Sequence, residues 1–74
     1  MMSLCLADMG EERIIMKVGG TPEVRKHLET LGFVSGCPVS IVNTFGGNII
    51  VNIKDTRVAV SREMAQKIML SDDG

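Results

Sequence analysis

Aromatic residues are nearly missing from this chain. It has no Trp, no Tyr and only two Phe, Phe33 and Phe45. The side chains on which nucleic acid bases usually stack are therefore scarce. Positive charge is not in excess either: eight Lys and Arg stand against nine Asp and Glu, a formal net charge of −1. Little is available to neutralise phosphates, so a nucleic-acid-binding role ranks last. There is one His and there are two Cys, with no CxxC pair and no Walker glycine loop carrying a Lys. Catalysis and nucleotide hydrolysis by this chain are not expected. Cys5 and Cys37 leave one disulfide open to the chain, with two reduced thiols the preferred reading. No apolar run approaches the roughly 20 residues of a membrane-spanning helix. Met1 to Asp8 lacks the basic start and long apolar stretch of a signal peptide. The chain is expected to be soluble and cytoplasmic. With 74 residues it is too short for a TIM barrel or a dinucleotide-binding sheet.

What is present is aliphatic. Hydrophobic residues make up 45% of the chain, which argues against disorder. Arg13 to Val18 alternates and reads as a half-buried strand, with Ile14, Met16 and Val18 inward and Ile15 and Lys17 outward. Thr21, Pro22 and Glu23 are helix-start residues, Val24, Leu28 and Leu31 recur at helical spacing, and Gly32 suits a helix end. A helix is predicted over Pro22 to Leu31, followed by a turn over Phe33 to Gly36. A second strand contains Val39 and Ile41. Gly46-Gly47-Asn48 signals a hairpin, and Ile49, Val51 and Ile53 form the inner face of a third strand. Asp55-Thr56 is read as the turn into a fourth strand, Arg57 to Val60. Ser61 caps a helical turn over Arg62 to Lys67, and Ile68 to Leu70 closes the sheet. The acidic end Asp72-Asp73-Gly74 is expected to fray. The fold class is mainly β with short helices: one domain over 1–74, a small SH3-like β-barrel with a helix after its first strand. Met16, Met64 and Met69 are expected to fill the aromatic-poor core.

Three stretches also resemble a known family. The run Val24 to Gly36, with Leu31-Gly32 followed by two apolar residues, a small residue and Gly, resembles the helix and turn of FeoA-type ferrous iron transport proteins. Val58 to Ala65 with Ile68 resembles the family's closing strand and helical turn, and Leu4 to Gly10 its opening segment. Ser35 stands where the family often has Pro, and Gly47-Asn48 where Asp-Pro is common. The resemblance spans about Leu4 to Leu70. It implies an accessory protein without enzymatic activity that docks on the GTPase-bearing cytoplasmic region of the FeoB ferrous iron permease and modulates it. It would reach the membrane only through that partner. A small ferrous iron or zinc carrier using the scattered Cys5, His27, Cys37 and Asp8 is a second reading, and because a similar domain ends the DtxR-type repressors, a stand-alone regulatory module is a third.

The candidate site residues follow. The only His, His27, has no positioned partner that would make it catalytic. Cys5, Asp8, His27 and Cys37 are the weak candidates for a metal such as Fe2+ or Zn2+, held transiently if at all, and no resident cofactor is expected. More apolar residues are present than a small barrel encloses. Ile15, Val42 and Ile50 fall opposite the presumed core face, and Met9, Phe33, Val34 and Phe45 fall in predicted loops. Together with Arg25 and Arg62 as rim contacts they are the predicted partner-binding set. For so small a chain, a partner or a second copy would add stability.

Overall fold

The computed structural model describes residues 1–71, and the expectation of a frayed end at Asp72-Asp73-Gly74 lies outside them. The strands are β1 (Met2–Ser3), β2 (Glu12–Val18), β3 (Pro38–Phe45), β4 (Asn48–Ile53), β5 (Thr56–Ser61) and β6 (Ile68–Leu70). A 3-10 turn, Leu4–Leu6, follows β1. Helix α1 (Pro22–Thr30) links β2 to β3, and helix α2 (Arg62–Ala65) links β5 to β6. The sheet order is β1-β6-β2-β3-β4-β5, with every neighbouring pair antiparallel. Its middle strand β2 serves two partners in succession. Glu12 to Ile14 pair with β3, then Ile15 to Val18 pair with β6. That switch bends the sheet around one core. The short strand β1 was not foreseen, because two residues carry no readable alternation.

Helix α1 has the ends its sequence promises. The Thr21 hydroxyl accepts the Val24 N–H at 3.2 Å, and Pro22 occupies the first turn. At the other end the Gly32 N–H donates to the Glu29 carbonyl and the Phe33 N–H to the Leu28 carbonyl, both at 3.0 Å. This is a Schellman motif, and Gly32 at φ 111° supplies the left-handed residue it needs. The motif folds Phe33 back over Leu28, and both are fully buried.

The core consists of Leu4, Ile15, Leu28, Phe33, Val39, Ile41, Ile49, Val51, Ile53, Val60, Ala65, Ile68 and Leu70. No polar or charged residue joins it among the described residues. It contains no Met: Met64 packs only partly against it, and Met16 is 50% exposed. The expected methionine filling is therefore corrected. Aliphatic residues and one Phe suffice to close a core this small.

The face of β2 is a second correction. Ile15 is completely buried, whereas Ile14 and Met16 are exposed. The register shifts between Ile15 and Lys17. A bulge inserts one residue and changes which parity faces inward. Ile15 and Val18, three apart, therefore both turn to the core. Simple alternation misses this. The β4–β5 turn also moves by one residue. Lys54 and Asp55 form it, at φ 51° and 60°, and Thr56 already belongs to β5.

Candidate docking surfaces

The apolar residues left outside the core form two different surfaces. The first lies on the outer half of β3 and its hairpin. The pairing of β2 with β3 stops at Glu12 and Ser40. Met9 then makes a single parallel bridge to Ile41, and the Gly10 N–H donates to the Ile41 carbonyl at 3.0 Å. Beyond that point, among the described residues, β3 is paired only with β4. Its register shifts between Ile41 and Asn43, so Val42 is the bulged residue and turns outward. The strand ends on Phe45, 76% exposed, beside the two-residue turn Gly46-Gly47 with both φ angles positive. Ile50, opposite Asn43, is half-buried. Arg62 is exposed and tied to the hairpin, its backbone N–H donating to the Gly47 carbonyl at 3.2 Å. Met9, Val42, Ile50, Phe45 and Arg62 of the predicted set thus lie on or beside one hairpin.

The second surface is concave. A groove of about 340 Å³ opens between β2, α1 and the turn after α1, lined by Lys17, Val18, Arg25, Glu29, Phe33, Val34 and Ser35. Arg25 and Glu29 share a helix face, being four residues apart. Phe33 lies beneath the groove with no exposed surface of its own. The turn is fastened to β2 by Ser35, whose hydroxyl donates to the Met16 carbonyl at 3.1 Å. A Pro at this position has no such donor. Neither Lys17 nor Arg25 has an ion pair or side-chain hydrogen bond among the described residues.

Two members of the predicted partner-binding set are corrected by burial. Ile15 is a core residue because of the β2 bulge. Phe33 is a core residue because the helix end folds it inward. Neither has exposed surface to offer a partner. In exchange, Leu6, Ile14 and Met16 are exposed apolar residues that the sequence reading did not mark. Lys17, Glu29 and Ser35 were also missed. Glu29 had a signal in its four-residue spacing from Arg25. Lys17 and Ser35 become neighbours only through the way α1 returns to the sheet.

The metal candidates are not brought together. Among the described residues no three His, Cys, Asp or Glu side chains are grouped so as to hold a metal ion. Cys5 is half-buried with its Sγ 3.0 Å from the Ser3 hydroxyl, Cys37 is half-buried before β3, and both are free thiols. Asp8 is exposed after the 3-10 turn, and His27 is exposed on α1. No helix among the described residues is long and apolar enough to cross a membrane.

Comparison with known proteins decides the family. A family model described as the FeoA domain matches residues 2–72. The chain belongs to the FeoA family. Its relatives include a protein of Methanocaldococcus jannaschii named Fe(2+) transport protein A, 29% identical over 72 residues, covering 97% of this chain and 88% of that one. The solution structure of the FeoA protein from Chlorobium tepidum is 27% identical with a TM-score of 0.85, covering 93% of this chain and 68% of that one. The crystal structure of Stenotrophomonas maltophilia FeoA complexed with zinc is described as an SH3 domain protein. It is 22% identical with a TM-score of 0.84, covering 96% of this chain and 91% of that one. This FeoA-family chain therefore has the SH3-like barrel expected of it, and its family is one of ferrous iron transport accessories rather than enzymes.

Proposed function

We propose that the chain, acting as one FeoA-type domain on the cytoplasmic side of the membrane, docks on the GTPase-bearing cytoplasmic region of a FeoB-type ferrous iron permease and modulates it. The observation that carries this reading is the outer half of β3 and its hairpin end, where apolar side chains stand exposed. Phe45 is a large aromatic side chain left 76% exposed, on a strand that also carries exposed Val42, with exposed Met9 bridged to Ile41 of that strand and Arg62 tied to the Gly47 turn. Aromatic and Arg residues are those that most often anchor an interface. The core has no need of them. Family membership in ferrous iron transport names the system in which a partner is to be sought.

In this reading the chain acts by contact. Iron is the cargo of the permease, and the scattered Cys5, Asp8, His27 and Cys37 are given no role in carrying it. The test is retention of the purified chain on the immobilised cytoplasmic region of the permease, with and without guanine nucleotide. Retention that Phe45→Ser abolishes is the expected result. Failure of the wild-type chain to be retained in any nucleotide state would sink the reading.

A further inference from the structure

The concave side of the molecule carries a feature that apolar docking at the hairpin leaves unused. Lys17 on β2 and Arg25 on α1 both line the groove, together with Val18, Val34 and the fully buried Phe33. Neither cation is paired among the described residues. Among the described residues Glu29 is the one carboxylate in the lining. On a chain whose formal net charge is −1, a groove with two cations and one carboxylate is a local positive site.

The backbone adds a second element. Where β2 pairs with β6, Lys17 stands opposite Met69 and Val18 opposite Ile68, and the Gly19 N–H donates to the Lys67 carbonyl at 2.7 Å. Antiparallel alternation therefore turns the N–H and C=O of Val18 away from β6, to the groove side. A short stretch of strand edge thus runs beside two cations and an apolar floor. That combination fits an extended segment of another protein, with main-chain hydrogen bonds to the edge and side chains in the groove.

We infer that the groove binds an extended protein segment carrying one Asp or Glu next to an aliphatic residue. Its carboxylate lies between Lys17 and Arg25, and its aliphatic side chain covers Val18 and Val34. The planar guanidinium of Arg25 matches a carboxylate with two parallel hydrogen bonds. Glu29 sets the charge limit. It opposes a doubly charged phosphate or a field of anionic headgroups, whereas one carboxylate is balanced by the two cations. The inference rests on the docking reading only for the identity of the partner; the chemistry of the groove stands apart from it.

The test uses a blocked heptapeptide of alternating Val and Thr with a central Glu, and its Gln counterpart. Each is titrated into the 15N-labelled chain, with phosphatidylserine vesicles as a third probe. The Glu peptide is expected to shift the amides of Val18, Arg25, Val34 and Ser35. It should bind about fivefold more tightly than the Gln peptide at low salt, an advantage lost at high salt and in the Lys17→Gln/Arg25→Gln double variant. Both residues are exposed, and an unchanged amide spectrum elsewhere verifies that the variant is folded. Equal affinity for the two peptides, no binding of either, or shifts confined to Val42–Phe45 overturns the inference. Shifts caused by the vesicles and by neither peptide overturn it in favour of a membrane surface. The permease's cytoplasmic region separates this idea from the docking reading. If the Glu peptide binds and the permease region does not, the groove stands and the docking reading falls. If the permease region binds wild type and the double variant equally, docking stands and the groove has no part in it.

Discussion

The hairpin of β3 and β4 and the groove between β2 and α1 are opposites. The hairpin projects two apolar side chains, Phe45 and Val42, from a stretch of β3 that among the described residues is paired only with β4. The groove is concave and charged, with its aromatic residue hidden beneath it. The two Phe of the chain thus do different work. Phe33 is held inward by a helix-end motif and stabilises the fold. Phe45 lies beyond the last inward residue of its strand and contributes little to it. An exposed apolar residue is informative only after the core has taken its share. A surface of each kind is expected to answer differently to salt, because apolar contact is largely insensitive to screening whereas exposed charges are not.

The largest effect that separates the two regions is on stability. Phe33→Ala is expected to cost about 3–5 kcal/mol, because it empties the centre of a tightly packed core. Phe45→Ala should stay within about 0.5 kcal/mol of wild type, as surface substitutions do. Urea unfolding followed by far-ultraviolet dichroism measures both, and equal losses would erase the distinction. Next is the same contrast within one strand. Ile15→Ala is expected to cost about 2–4 kcal/mol and its neighbour Met16→Ala about 0.5 kcal/mol or less. The reverse order would mean that the β2 bulge does not set the inward face.

Docking should show the contrast the other way round. Phe45→Ser is expected to weaken the permease complex about tenfold or more at any salt concentration, as loss of an aromatic anchor does. The smallest effect is expected at a place belonging to neither surface. Replacing Lys54-Asp55 by Asn-Gly puts residues suited to positive φ into the β4–β5 turn and should raise stability by about 1 kcal/mol. Docking affinity should be unchanged, which calorimetry on the variant can verify.

Much of the fold was legible because local signals agreed with one another. Thr21-Pro22-Glu23 and Gly32 bracket α1, Gly46-Gly47 marks the hairpin, and Ser61 caps α2, its hydroxyl accepting the Met64 N–H at 3.2 Å. Element identity survived even where boundaries moved by a residue. The errors came from two places. Constant alternation through β2 puts Ile15 outward, and a bulge at Met16 reverses the parity. Phe33 falls in a predicted loop, yet Leu28 and Gly32-Phe33 have the spacing of the motif that buries it. Exposure within the predicted docking set was half legible. Phe45, Val42 and Met9 are exposed as expected. The groove was not legible, because Lys17, Arg25 and Ser35 meet only through the return of α1 to the sheet, and no local pattern encodes that angle.

The most direct test of the account is to titrate the 15N-labelled chain with the cytoplasmic region of the permease and follow every backbone amide. Shifts are expected to concentrate at Val42 to Gly47 and around Arg62, with the amides of β1 and β6 unmoved. Absence of shifts at micromolar concentrations of partner, or shifts centred on the opposite face around β1 and β6, would contradict it.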